Sequence, residues 1–252
     1  MKKDAANAES ILADIYSSDD AGRFVDVVTL LRAHLRQPPI ITGSFGAECQ
    51  ILATGGEAKQ RHLNDIDLVA ADGIADILPS LSDEFLIHHF HPTREQGNVL
   101  MQVVEPRSRT RVDIFSPRSP SIVERASKVT FGDVDCLTVS AADLAARLLA
   151  IVVIVLDGKS VDPKYFASFE RLMKVVDMPL VSQLWHEYRW GSYTGELRET
   201  AAEVRRVLNL DSGLLKKTEY SQDLESVCEW CVASDEFPLA GNRKIFEILG
   251  HV

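Results

Sequence analysis

Apolar residues recur at helical spacing from Ala5 to Leu35, with Ile11, Leu12 and Ile15 followed by Phe24, Val27, Val28, Leu31 and Leu35. The cluster Ser17-Ser18-Asp19-Asp20 interrupts this run with residue types that cap helix N-termini, so the segment reads as two helices. Pro38-Pro39 ends the second. Ile40-Ile41-Thr42 then reads as a short strand that turns through Gly43-Ser44-Phe45-Gly46 into a further helix. Strand patterns follow at Ile66 to Ala70, Phe85 to Phe90, Val99 to Val104 and Thr110 to Phe115. After Pro117 and Pro120 the character changes, with one strand expected at Asp135 to Val139 and helical periodicity from there to the C-terminus. The pattern predicts an α+β fold: a mixed sheet with flanking helices over residues 1–120 and a mainly helical second domain over residues 121–252. There is no internal repeat and no low-complexity segment.

Composition narrows the function classes. The 252 residues are 46% hydrophobic and 25% charged, which is globular composition with enough chain for a sizeable core. A net charge of -10 opposes a broad electrostatic footprint on DNA or RNA, because such affinity comes chiefly from Lys and Arg. It leaves room for a local basic groove. The four cysteines, Cys49, Cys136, Cys228 and Cys231, are too few and scattered for a disulfide framework, and a reducing cytoplasm is expected. No apolar stretch follows the polar N-terminus, and the longest apolar run, Leu148 to Leu156, is well short of the ~20 residues that cross a bilayer. A soluble protein without membrane partners is therefore expected.

The chemistry is concentrated in Leu63-Asn64-Asp65-Ile66-Asp67-Leu68-Val69, where two acids one residue apart lie in an apolar run of strand type. Residues i and i+2 of a strand share a face, so Asp65 and Asp67 project together while Ile66 and Leu68 face the core. Two adjacent carboxylates repel unless a cation lies between them, and a hard ion such as Mg²⁺ or Mn²⁺ takes such oxygen ligands. The bland alternative is a solvated strand face. Arg111-Val112-Asp113-Ile114-Phe115 repeats the pattern and would bring Asp113 beside the pair if its strand is a neighbour. Three convergent acids are the arrangement needed for two metals in an in-line displacement at phosphorus, with Asp113 holding the ion that activates the acceptor hydroxyl. Upstream, Gly43-Ser44 at a strand-to-helix turn offers backbone N–H groups and a hydroxyl to phosphates, although such turns also use these residues for conformation alone.

In this order, Gly43-Ser44, Asp65-Ile66-Asp67 and Val112-Asp113-Ile114 resemble the nucleotidyltransferase superfamily typified by DNA polymerase beta and kanamycin nucleotidyltransferase. The wording Arg61 to Leu68 and Val139 to Arg147 resembles most the abortive-infection branch, whose members include toxins of toxin–antitoxin pairs. The resemblance implies a nucleotidyltransferase-like sheet that moves an NMP from an NTP, ATP among them, to an acceptor. That acceptor is a small molecule such as an aminoglycoside, a protein side chain or RNA. The alternative is a non-catalytic nucleotide- or partner-binding protein of the same fold. Two departures stand out: an insertion around Thr54 to Gln60 must loop out, and Arg147 replaces the lysine that meets the triphosphate in related proteins.

Other features have readings on both sides. Arg109 and Arg111 share a strand face with Asp113 if Thr110 to Phe115 is regular, and Arg111 either grips a phosphate or holds the acids together as an ion pair. His88, His89 and His91 offer imidazoles, but no further ligand lies at a helpful spacing and solvated histidines are expected. Cys228 and Cys231 form a CxxC read as two thiols on a helix face. Asp157-Gly158-Lys159-Ser160 ends like a P-loop but lacks its first glycine, Val153 standing there. Trp185 and Tyr188 read as helix packing at i and i+3.

Overall fold

The computed structural model describes residues 8–70, 80–81, 84–90 and 99–217. Helices α1 (Ala8–Ile15) and α2 (Ser18–His34) open the chain. Ser17 caps α2 by accepting from the Asp20 N–H at 3.3 Å, while Asp19 and Asp20 in its first turn and Arg32 and His34 in its last suit the helix dipole. Strand β1 (Ile40–Ile41) leads directly into α3 (Gly43–Ala53). Strands β2 (Asp65–Val69), β3 (Leu86–Phe90), β4 (Val99–Glu105) and β5 (Thr110–Phe115) follow, then β6 (Ser127–Phe131) and β7 (Val134–Thr138). Helices α4 (Ala141–Val152), α5 (Pro163–Leu172), α6 (Met178–Tyr188) and α7 (Leu197–Leu210) complete the described chain. None of the described helices is long and apolar enough to cross a membrane.

The strands form one mixed sheet in the order β3-β4-β5-β2-β1-β7-β6, so the protein is α+β with flanking helices as the periodicity predicts. The pairs β2·β5 and β1·β7 are parallel and the others antiparallel. Strand β6 is absent from the sequence expectation. It lies at a sheet edge with Phe131 alone fully buried and Val129 partly so, and an apolar alternation of only two residues is too short to mark a strand. Lys128 on that edge discourages further pairing.

Alternate residues of the central strands serve two different cores. Ile66, Leu68, Val112 and Ile114 pack with Phe24, Val27 and Leu31 of α2 on one face. On the other, Ile40 and Val69 join Leu149 of α4, Phe169 of α5 and Trp185 of α6. Helix α3 serves both, Phe45 and Cys49 facing the first core and Ala47 and Ile51 the second. The acids of β2 and β5 therefore lie on the face that the C-terminal helices cover. Trp185 and Tyr188 are fully buried, as their spacing implies.

Buried polar contacts hold these layers in place. Glu48 of α3 takes Arg171 of α5 in a two-pronged ion pair at 2.5 and 2.9 Å and also accepts from the Lys59 N–H at 3.0 Å. Residues 54–64 form the loop expected from the insertion, and Asp20 anchors its far end by accepting from the Leu63 N–H at 3.2 Å. Asp143 of α4, fully buried, accepts from Arg125 at 2.9 and 2.8 Å and from the Tyr188 hydroxyl at 3.0 Å. That hub fixes the first turn of α4, and Arg147 follows one turn later on the same helix face.

Candidate active site

Because β2 and β5 run parallel and in register, Asp67 stands opposite Asp113 and Asp65 opposite Arg111. The period of two then places all four side chains on one sheet face. One carboxylate oxygen from each of Asp65, Asp67 and Asp113 lies within 4.8 Å of the others. Arg111 joins them, its Nη2 at 2.9 Å from Asp65 Oδ2 and its Nε at 3.2 Å from Asp113 Oδ1. The second contact is an ion pair without hydrogen-bond geometry, and Asp113 Oδ1 is a buried acceptor with no donor among the described residues. Burial opposes the Arg111 charge, but Asp113 and Asp65 outweigh it and raise its pKa.

The acids are short of solvent. Burial, then the charges of Asp65 and Asp113, pushes the Asp67 pKa up to about 7, against the opposing pull of Arg147 and Lys164. Burial likewise pushes Asp113 up to about 6, although Arg111 and a hydrogen bond from Gln102 resist it. Three carboxylate oxygens converging there, one of them buried without a hydrogen-bond donor, fit a hard divalent cation.

Gly43 begins α3 against this cluster, with Thr42 N–H donating to the Asp67 carbonyl at 2.9 Å. Its φ of +64° is in the left-handed region, and a Cβ there would fall 1.8 Å from Asp67 Oδ2. The glycine is therefore required twice, by backbone conformation and by the carboxylate. It brings the amide-rich start of α3 and the Ser44 side chain to the rim of a cavity of about 310 Å³ that holds the three acids and Arg111.

The C-terminal helices line the opposite wall. Arg147 of α4 enters the cavity with its guanidinium 4.3 Å from the Phe115 ring centre. Lys164, Tyr165 and Ser168 of α5 complete the wall and escaped the sequence reading. The signal was present but faint: Asp162-Pro163 caps and opens α5, and a lysine in the very next position sets a cation against the positive end of a helix dipole.

Not every candidate residue joins the site. Arg109 does not share the strand face with Asp113: it lies in the β4–β5 turn with φ +55°, before the strand begins at Thr110. His88 and His89 belong to β3, where a register irregularity between Ile87 and His89 breaks simple alternation, and His91 lies outside the described residues. Cys228 and Cys231 also lie outside them, whereas Cys49 and Cys136 are buried free thiols.

No family model matches this sequence, and no curated protein matches it at a significant level. Solved structures do show similarity. An antigenic nucleotidyltransferase-like protein from Paracoccidioides brasiliensis is 15% identical, with a TM-score of 0.46 over 82% of this chain and 97% of its own. The antibiotic-resistance factor ANT(2'')-Ia, whose solution structure reports substrate-regulated conformation dynamics, is 12% identical, with a TM-score of 0.44 over 74% of this chain and 98% of its own.

Proposed function

We propose that this protein is a metal-dependent nucleotidyltransferase that moves an NMP from an NTP to a hydroxyl-bearing acceptor and releases pyrophosphate. The observation that carries the reading is the convergence of Asp65, Asp67 and Asp113 within 4.8 Å on one sheet face, with Gly43 pressed against Asp67. Asp65 and Asp67 hold the metal that accompanies the triphosphate, and Asp113 completes the position beside the acceptor. Divalent metal bound there supplies Lewis-acid stabilisation of the phosphoryl oxygens and lowers the pKa of the attacking hydroxyl. The α3 N-terminus and Ser44 receive the β and γ phosphates. Arg147 and Lys164 face them from the other wall and offset the negative charge that burial of the triphosphate concentrates there.

The site residues divide the work, and this gives the test. Asp113→Asn abolishes transfer but leaves metal-dependent NTP affinity within roughly tenfold, about 1.4 kcal/mol, whereas Asp67→Asn weakens both. Calorimetry reads binding and pyrophosphate release reads turnover, with an acceptor screen spanning aminoglycosides, tRNA and protein lysate. Transfer that survives Asp113→Asn unchanged removes Asp113 from the chemistry. A second reading, a nucleotide-binding protein without turnover that partners a neighbouring toxin or antitoxin, draws on the ion pairs that Arg111 makes with two of the acids. NTP binding with no transfer to any acceptor in that screen would favour it.

A further inference from the structure

Resting on that reading, we propose that Arg111 is a built-in occupant of the metal position. Its guanidinium holds the acids together before ligands bind and must turn away before a divalent cation is bound tightly, and the incoming triphosphate receives it.

Three observations carry this. First, Arg111 reaches two different acids, at 2.9 Å to Asp65 and 3.2 Å to Asp113, in the space where the three carboxylates converge. A guanidinium and a divalent ion cannot both fill that space, so they compete. Second, the fit to Arg111 is incomplete. Asp113, nine-tenths buried, keeps Oδ1 without a hydrogen-bond donor, and Arg111 Nε is itself a buried donor with no acceptor in hydrogen-bond geometry. An arginine that served only to neutralise the acids would be expected to satisfy these atoms, because unpaired buried polar groups are costly. Third, the charges of the cavity already balance. Asp65, Asp67 and Asp113 share it with Arg111 beside them and with Arg147 and Lys164 on the opposite wall. Divalent metal alone therefore leaves the cleft with excess positive charge, whereas metal together with a triphosphate does not.

Metal and nucleotide binding are consequently coupled through one side chain. Each favours the arrangement in which Arg111 has left the carboxylates, and by linkage each strengthens the other by the same factor. Arg111 has donors for phosphate oxygens once released, and its charge is never lost at ordinary pH. It acts on metal and nucleotide through its position, with no bond made or broken in the reaction.

The test compares wild type with Arg111→Met and Arg111→Gln. Mn²⁺ affinity is measured by electron paramagnetic resonance with and without a non-hydrolysable NTP analogue, at about pH 8.5 so that protons do not take the place of the guanidinium on the acids. Without nucleotide, both variants bind Mn²⁺ at least tenfold tighter than wild type. With the analogue the difference closes or reverses, so that coupling between the two ligands falls at least tenfold. Folding is checked by circular dichroism. Should both variants fail to fold, the wild-type protein labelled at arginine Nε decides: the Arg111 Nε–H signal, identified by its loss in Arg111→Lys, stays in place with Mg²⁺ alone at low concentration and moves when the analogue is added. Variants that bind nucleotide-free Mn²⁺ no tighter than wild type, or a signal indifferent to Mg²⁺ and analogue together, overturn the inference while leaving the metal site standing. Wild type that binds no Mn²⁺ even with the analogue overturns the inference and the proposed function together.

Discussion

Gly43 and Asp67 touch so closely that no side chain fits between them: a Cβ on Gly43 would sit 1.8 Å from Asp67 Oδ2. The first residue of α3 and the second acid of β2 are thereby set as one unit. Gly43→Ala should cost about 1–2 kcal/mol for the left-handed conformation alone and more for moving the carboxylate. Its larger effect falls on the metal, because the displaced carboxylate can no longer converge with Asp65 and Asp113. Thermal melts with and without Mg²⁺ read both effects. A variant that keeps the wild-type melting temperature and the wild-type response to Mg²⁺ contradicts this contact.

The raised acids give a pH dependence of definite sign. Asp67 at about 7 and Asp113 at about 6 lie above ordinary carboxylate values, so the folded protein binds more protons than the unfolded chain between roughly pH 4 and 7. Their contribution is present in full below the unfolded pKa and is lost as pH rises through 6 and 7. Metal-free protein should therefore lose stability between pH 5 and pH 8, and Mg²⁺ should restore more at pH 8 than at pH 5. The depressed carboxyls of Asp20, held by Arg23 and the Leu63 N–H, and of Glu105, held by Ser108, act in the opposite sense. Their stability is lost only as pH falls below the ordinary carboxylate range, outside this window. Denaturant unfolding across the series is the measurement, and a flat profile in metal-free buffer counts against the buried cluster.

The Glu48–Arg171 pair fastens α3 to α5 and so spaces Gly43 from Lys164 across the cavity. Glu48 is buried, and removing its partner strands a charge. Arg171→Ala should destabilise by about 3–5 kcal/mol, while the double change Glu48→Leu with Arg171→Met should recover most of the loss. Chemical denaturation of the three proteins reads the comparison, and equal losses in single and double variants would dismiss a stranded charge as the cause.

Lys164 enters the cavity from the first turn of α5, against the helix dipole. Lys164→Met should weaken NTP binding tenfold or more, since in the proposed reading the lysine meets the triphosphate, and should change nucleotide-free Mn²⁺ affinity less. It should also raise the melting temperature slightly in the absence of nucleotide. Calorimetric titration with NTP checks the first effect, and unchanged affinity would exclude Lys164 from the phosphate site.

How much of this was legible in the chain follows from the range of the interactions involved. Asp65 and Asp67 share a face because strand alternation is local, and the same rule puts Asp113 between the core residues Val112 and Ile114. The glycine after β1, the Ser17 cap and the buried stripe of α2 are likewise written within a few neighbouring residues. Only the tertiary structure decided that β5 lies directly beside β2 in the register that opposes Asp67 to Asp113, because 46 residues separate the paired positions and no local pattern specifies which strands meet. The same holds for Lys164, which enters the acids' cavity from a helix distant in sequence, and for Arg111, whose choice between phosphate and carboxylate depends on two acids that converge only in the folded sheet. Strand β6 escaped because an edge strand with one fully buried residue draws its order from its neighbour β7. Arg109 was misplaced because a left-handed turn is set by the closure of the β4–β5 hairpin and leaves no mark in apolar periodicity. Periodicity is a property of one segment seen against water; register, convergence and charge balance are properties of segments seen against each other.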